Sequence, residues 1–593
     1  MRNIKDLNYK QLKELCAEIR DQIIRTVDKN GGHLASNLGV VELTVALCYV
    51  FDFDIDKIVF DVGHQVYAYK FLTDREDAFG SIRKEGGLSG FPDPEESKYD
   101  VFSTGHAGTS LAASLGLAYA RDRRGENYYV IDLVGDASLF NGENLEALSA
   151  SDTKPKKFIV ILNDNGKSIS KNNNGLYKAV SAFTTKKFYI KVNEFFSKTI
   201  GRFAFGRWLR RVKSFFKRLL SYYAIVDKLD LKYVGVFDGH DLKGLIRILK
   251  RIKESGKPTL LHIRTTKGKG YSLAEHDSTT YHGIGKNLQL AVNTYSDSVG
   301  DILERCLPEH PDLCAITAGM KTGVGLAAFA KRHPENVLDV GIAEDLAVTL
   351  AGGMAKGGGE PIVFIYSTFL QRAFDQILND ICLQNLHVVF CVDRAGFVGS
   401  DGKTHQGIYD LTYLINLPNM TVLAPYGAEE FEEMLRISAE LSGPVAIRYP
   451  SGECLSRRST QPITRELKWE ELRGGEDVCI FAVGNRMAEL ALAVAAQSEK
   501  CVAVVSARCV KPLDEEMLLK YRRHRIVTLE ENVTGGGFGA SVLTFYAKRN
   551  IAVDLQIHGI ENGVVGHATV ERQMEKSGFT VEKIVASIQS DKE

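Results

Sequence analysis

Seven short runs rich in Val, Ile, Phe and Tyr recur along the chain, each followed by a turn signal and then a helical pattern. They are Tyr128–Val134, Phe158–Leu162, Pro361–Ser367, His387–Asp393, Val478–Gly484, Cys501–Ala507 and Arg525–Glu531. Runs this short and this apolar read as strands buried on both faces. Their alternation with helices restricts the chain to α/β folds with doubly wound, mostly parallel sheets. In such sheets ligands collect just beyond the carboxyl ends of strands, which directs attention to the residues after each run. A chain of 593 residues also exceeds what one hydrophobic core can organise,. Polar stretches near Asn287–Ser296 and Arg457–Lys468 divide it into three domains, 1–290, 291–462 and 463–593.

Charge narrows the choice of partners. Lys plus Arg and Asp plus Glu are equal at 74 each, so the whole chain has no electrostatic reason to seek nucleic acid or a membrane surface,. The opening MRNIKDLNYK has no signal-like apolar core, and no apolar run reaches membrane-spanning length,. The cysteines form no C-x-x-C pair and read as small buried hydrophobes of a reducing compartment, so a cytoplasmic location is expected,. One segment departs from this balance. Lys186–Leu220 is strongly basic with interleaved aromatics, and reads as an insertion whose apolar face packs on the rest of the molecule, in preference to a membrane or nucleic-acid surface,.

The most informative stretch is VGDASLFNGENLEALSASDTKPKKFIVILNDNGKSIS. Asp136 follows one strand and Asn165 the next, so neighbouring strand ends bring two hard oxygen donors together. With a backbone carbonyl, such donors suit Mg²⁺ shared with phosphate oxygens. The pattern resembles the thiamine-diphosphate motif of transketolase-like enzymes. The likeness extends through GGHLASNLGVVELTVAL, DVGHQVYAYK, GGLSGFP, VFDGHD, YSTFLQRAFDQ, DRAGFVGSDGKTHQG and AIRYPSG. In those stretches the chain is similar to the 1-deoxy-D-xylulose-5-phosphate synthase family.

The resemblance implies a transketolase-like architecture that binds thiamine diphosphate and Mg²⁺. It implies a homodimeric transferase that condenses pyruvate with D-glyceraldehyde 3-phosphate into 1-deoxy-D-xylulose 5-phosphate, a precursor of isoprenoids, thiamine and pyridoxal. By the same resemblance Asp136, Asn165 and the Lys167 carbonyl hold the metal. His64, His106, Gly135, Ala137 and Ser138 belong to the cofactor site, Phe369 supports the pyrimidine, and Glu344 is the acid beside that ring. His33, His64 and His405 look like active-site histidines, and Asp401 joins His405 in orienting substrate. Tyr366, Arg372, Arg394 and Arg448 look like substrate contacts. Because a guanidinium fork matches phosphate geometry, Arg394 and Arg448 are assigned to the acceptor phosphate. The glycines of TLEENVTGGGFGASV look like a structural turn of the C-terminal domain and not a nucleotide site.

Several positions depart from the family pattern. Ala137 replaces a Gly, Ala107 and Gly108 replace two serines, Asp345 and Leu346 replace an amide and an imidazole, His276 replaces a Lys and Cys48 a His. They are expected to cluster around the cofactor, and Asp345 to raise the proton affinity of Glu344 if it points inward. They leave two alternatives, a related ketol transferase with altered substrates and a catalytically silent regulatory paralogue.

Overall fold

The computed structural model describes residues 2–150, 154–166, 229–285, 294–452, 461–561 and 563–590. The basic segment 186–220, Lys167 and parts of both interdomain stretches lie outside the described residues. The chain forms two compact units, Met1–Leu290 and Ala291–Glu593.

In the first unit, β1 (Lys57–Phe60), β2 (Val130–Gly135), β3 (Phe158–Asp164), β4 (Lys232–Asp238) and β5 (Thr259–Arg264) form one sheet in the order β1-β2-β3-β5-β4. Every pairing is parallel. Strand side chains alternate between faces, and the alternation divides the core in two. Ile131, Leu133, Ile159 and Ile161 join the helices Tyr9–Asn30, Val41–Val50 and Leu242–Ser255. Val130, Val134, Phe158, Val160 and Leu162 pack with Leu111 and Leu115 of helix Ser110–Arg123.

The helix Leu242–Ser255 shows how the pattern operates. It buries Leu242, Leu245, Leu249 and Ile252, turns its Lys and Arg residues outward, and ends at Gly256 in the left-handed conformation,. The N-terminal helix Tyr9–Asn30 is started by a capping box, in which Asn8 Oδ1 accepts from the Gln11 amide at 3.1 Å and Gln11 Oε1 accepts from the Asn8 amide at 2.9 Å,.

The second unit carries two sheets. The first contains β6 (Leu313–Thr317), β7 (Val337–Asp339), β8 (Glu360–Tyr366), β9 (Val389–Asp393), β10 (Thr421–Leu423) and β11 (Val445–Arg448). The other contains β12 (Glu470–Arg473), β13 (Val478–Ala482), β14 (Val502–Ser506), β16 (Arg525–Val533) and β17 (Asp554–Ile560), in the order β12-β14-β13-β16-β17. All seven runs read from the sequence are strands, namely β2, β3, β8, β9, β13, β14 and β16.

One strand was not foreseen. β15 (Cys509–Lys511) comes from the C-terminal part of the chain, yet it pairs antiparallel with β10 and completes the order β15-β10-β11-β9-β8-β6-β7. Three residues ending in a Lys carry no hydrophobic period, so nothing local marks them as a strand. Among the described residues no helix is long and apolar enough to cross a membrane.

Removing a buried side chain from Leu242–Ser255 tests the packing. Leu249→Ala should lower stability by about 2–5 kcal/mol. Arg247→Ala on the exposed face should stay within about 0.5 kcal/mol. Urea midpoints at an unchanged denaturant slope would read both.

Candidate active site

In the first unit the loop after β1 and the turn before helix Leu34–Leu38 bring three histidines together. Asn37 is fully buried and sets their backbone, its Nδ2 donating to the carbonyls of His33 at 2.6 Å and His64 at 2.7 Å. Its Oδ1 accepts from the Tyr67 amide at 2.9 Å. The His33 and His64 rings lie 5.3 Å apart, and His282 meets them edge to face at 5.6 and 5.1 Å. Phe91 of the GGLSGFP stretch stands 5.6 Å from His33. Burial, followed by the charge of Lys267 and the neighbouring imidazoles, pushes His282 well below the usual histidine range. It is therefore neutral at pH 7 and able to give or take a proton.

The sequence reading missed His282. Nothing in the spacing of TTYHGIG links it to His33 or His64. The link is a backbone bridge, Gly32 N to Ile284 O at 2.9 Å with its reciprocal at 3.1 Å.

Asp136 leaves the end of β2, 2% exposed, and opens the short helix Asp136–Leu139. Asn165 follows β3, its immediate neighbour, with Gly135 in register with Asn163. Two oxygen donors from adjacent strand ends, one of them a buried carboxylate, fit a magnesium-bound diphosphate. Beside them Asp61, just past β1, accepts from the amides of Gly108 at 2.9 Å and Ser110 at 3.3 Å, and the nearby Ser138 hydroxyl lowers its proton affinity against burial. His106 is half-buried in the same loop.

Two departures from the family pattern find a local explanation. Ala137 sits in helical backbone and costs no strain. Gly108 has φ +97°, and a Cβ there would overlap the Asn141 side chain,.

In the second unit the singled-out residues line the carboxyl edge of the parallel sheet. Tyr366 ends β8, Arg394 follows β9, and Arg448 ends β11. Glu344 begins helix Glu344–Lys356 beyond β7. β6 and β8 are neighbours, although the chain visits β7 between them, so this edge contains the switch point at which open α/β sheets bind ligands,.

Glu344 is 4% exposed and accepts from Arg372 Nη1 at 3.2 Å. Burial raises its proton affinity above the usual carboxylate range, against the pull of Arg372. Asp345 adds the least of the named contributions, because its side chain is exposed. Tyr366 and Phe369 stack at 5.6 Å and 15°, and His405 meets Phe369 edge to face at 5.7 Å. The Arg394 guanidinium lies 3.7 Å from the centroid of Tyr366 and donates to Asp393 at 2.8 Å,. Asp401, on the Gly399–Thr404 element, acts electrostatically on Tyr366 and Arg394.

Arg448 differs from the expected open phosphate fork. Its Nε and Nη2 hold Asp410 at 2.7 and 3.2 Å, and its side chain is 4% exposed. The expectation that the departures cluster at the cofactor also needs correction. Cys48 lies in the core, where burial pushes its thiol up to about 12, and His276, Asp345 and Leu346 are exposed. Among the described residues every cysteine is free, and all but Cys501 are buried. In the glycine-rich turn after β16, the Glu530 carboxylate accepts from the amides of Phe538 at 2.7 Å and Gly539 at 2.9 Å. That is the place a phosphate takes in nucleotide-binding turns.

Three mostly parallel sheets, with a buried carboxylate and a stacked aromatic pair at one carboxyl edge and an Asp/Asn pair at another, define a transketolase-type architecture. Family models agree along the chain. Residues 1–265 match the 1-deoxy-D-xylulose-5-phosphate synthase model, 292–454 the transketolase pyrimidine binding domain, and 467–584 the transketolase C-terminal domain. The chain is 42% identical over 605 residues to a 1-deoxy-D-xylulose-5-phosphate synthase of Clostridium tetani, covering 99% of this chain and 97% of that protein. It is 41% identical over 599 residues to one of Thermus thermophilus, covering 98% and 96%. The chain belongs to the 1-deoxy-D-xylulose-5-phosphate synthase family.

The core behind the Asp61 loop gives a pH-dependent test. Asp132 lies within β2 and accepts from Ser114 Oγ at 3.2 Å, and burial pushes its carboxyl up to about 8 from an ordinary 3.8. The folded state therefore keeps a proton that the unfolded state releases, so stability falls as pH rises through this window. In Asp132→Asn that slope should disappear. Urea midpoints at pH 5 and pH 8.5 should show the variant gaining on the wild type at the higher pH, whereas a constant difference would mean that Asp132 is ionised throughout.

Proposed function

We propose that the chain catalyses the condensation of pyruvate with D-glyceraldehyde 3-phosphate, releasing carbon dioxide and 1-deoxy-D-xylulose 5-phosphate. The observation that carries this reading is the buried Glu344 at a helix start, with its proton affinity raised, in a chain 42% identical to such a synthase over 99% of its length. Bound thiamine diphosphate supplies an electron sink for decarboxylation and carbon–carbon bond formation.

The protein's part is to bind, orient and move protons. In this reading residues 1–290 hold the diphosphate and Mg²⁺, 291–462 the pyrimidine ring, and 463–593 form the C-terminal domain. Asp136, Asn165 and the Lys167 carbonyl are the metal ligands, and His106, Gly135, Ala137 and Ser138 surround the diphosphate. Phe369 gives the pyrimidine an apolar face. Glu344 would face a nitrogen of that ring and hold or release a proton there, a task suited to a buried carboxyl whose proton affinity is raised,.

His33, His64 and His282 form a compact set of imidazoles able to pass protons to and from substrate oxygens,. Asp401 and His405 orient substrate beside Tyr366. Arg394 is the first choice for the acceptor phosphate, since its side chain is 30% exposed, while the fork of Arg448 is held by Asp410. Arg372 pairs with Glu344 and keeps that carboxylate in place. A homodimer is the assembly proposed for this chain.

The test is direct. Purified protein with thiamine diphosphate, Mg²⁺ and both substrates should yield 1-deoxy-D-xylulose 5-phosphate by mass spectrometry. Glu344→Gln, which keeps shape but not proton exchange, should lower kcat by about 10²–10⁴-fold with an unchanged melting temperature. Wild-type protein that binds the cofactor yet forms no product from this pair would overturn the assignment.

A further inference from the structure

The segment 399–406 carries Asp401 and His405, but the groups that grip it come largely from the C-terminal domain. Gln573, on helix Val570–Lys576, is 1% exposed. Its Oε1 accepts from the Gly399 amide at 2.8 Å, while its Nε2 donates to the Gly399 carbonyl at 2.9 Å and to the Gly566 carbonyl at 2.8 Å. One side-chain amide thus reads both polar groups of a single residue, as a strand neighbour would. Its second N–H ties the pair to the loop before the helix. Both amide hydrogens are used, and the group is shut away from solvent.

A second contact acts three residues on. Gly402 has φ +73°, and a Cβ there would overlap the His567 ring, so the ring lies directly against the backbone between Asp401 and His405. Inside the segment, Gln406 accepts from the Val398 amide at 3.0 Å and donates to the Gly402 carbonyl at 3.1 Å and to the Val565 carbonyl at 3.4 Å. At the segment's base, Phe397 donates its amide to Glu531 at 3.2 Å, and its carbonyl accepts from Arg486 at 3.2 Å. The 563–573 stretch therefore forms a seat for the segment.

We propose that Gln573, assisted by His567, is a positioning residue of the C-terminal domain that fixes Asp401 relative to Arg394 and so sets how well the phosphorylated acceptor is used. The proposal rests on the reading of Asp401, His405 and Arg394 as substrate contacts. Because Asp401 acts electrostatically on Arg394 and Tyr366, a displaced segment changes the field where the acceptor phosphate is placed,. Glu344 and the Asp136–Asn165 pair stand on other strand ends and are not held by this seat.

The test uses full-length Gln573→Met, which keeps volume but removes all three hydrogen bonds, and Gln573→Glu, which keeps the acceptor for the Gly399 amide and sets a second oxygen against the two carbonyls. In both, kcat/KM for D-glyceraldehyde 3-phosphate should fall about tenfold or more. KM for pyruvate and the affinity for thiamine diphosphate should stay within about twofold. Amide hydrogen exchange of residues 399–406 should accelerate in the same variants. His567→Ala, which leaves the amide grip intact, should shift the acceptor parameter the same way, and it supplies the reading if the Gln573 variants do not fold. Equal losses for both substrates and cofactor would mean a merely structural role and overturn the proposal, as would faster exchange with unchanged acceptor kinetics. If wild-type protein makes no product from these substrates, the functional reading fails by itself. The exchange comparison then still decides whether Gln573 holds the segment, and unchanged exchange would overturn that as well.

Discussion

Asp61, just past β1, accepts hydrogen bonds from the amides of Gly108 and Ser110. A buried carboxylate is costly, and burial does hold this one above the usual carboxylate range,. What offsets the cost is that two amides of a loop more than forty residues away converge on its oxygens. The loop bearing His106 cannot move independently of the end of β1 while that carboxylate is satisfied. Asn144, which accepts from the Leu111 amide and donates to the Ser138 carbonyl, ties the helix opened by Asp136 to the next helix turn. The diphosphate-binding half of the proposed site is, in physical terms, the surroundings of one aspartate.

The second unit solves a related problem with rings and forks. Arg394 lies over Tyr366, Tyr366 stacks on Phe369, and Phe369 meets His405, so four side chains from the segments that follow β8 and β9 order one another. Preorganisation of this kind reduces what binding must spend on immobilising side chains. Arg448 shows the opposite use of a guanidinium. Buried against Asp410, it braces the edge of the sheet.

The architecture was legible in the sequence because buried parallel strands leave continuous apolar runs. The seven runs named all became strands, and the residues after them are the ones at the carboxyl edges. The placement of Asp136 and Asn165 at neighbouring strand ends was legible for the same reason. His282, Asn37 and Asp61 were not, since their roles arise from backbone bridges and loop convergence that no local period encodes. The departures at Asp345 and Leu346 looked more disruptive in sequence than in space. Adjacency to Glu344 along a helix turns successive side chains about 100° apart, and these two point outward,. The pairing of Arg448 with Asp410 was not legible, because a fork suited to phosphate is equally suited to a carboxylate,.

β15 joins the two C-terminal sheets in a way that bears on how the chain could be divided. The strand Cys509–Lys511 covers the open edge of β10, Arg508 beside it donates to Glu430 at 3.1 Å, and Trp469 Nε1 donates to Cys509 O at 2.6 Å. A cut in the stretch between the two sheets would not release two self-sufficient pieces. The upstream fragment would present an unpaired strand edge of the kind that recruits foreign strands, and the downstream fragment would carry a three-residue strand with no sheet to join. Gene fission or domain exchange at this junction is therefore constrained to keep both fragments together from synthesis onward, with the pair behaving as one folding partner in two polypeptides.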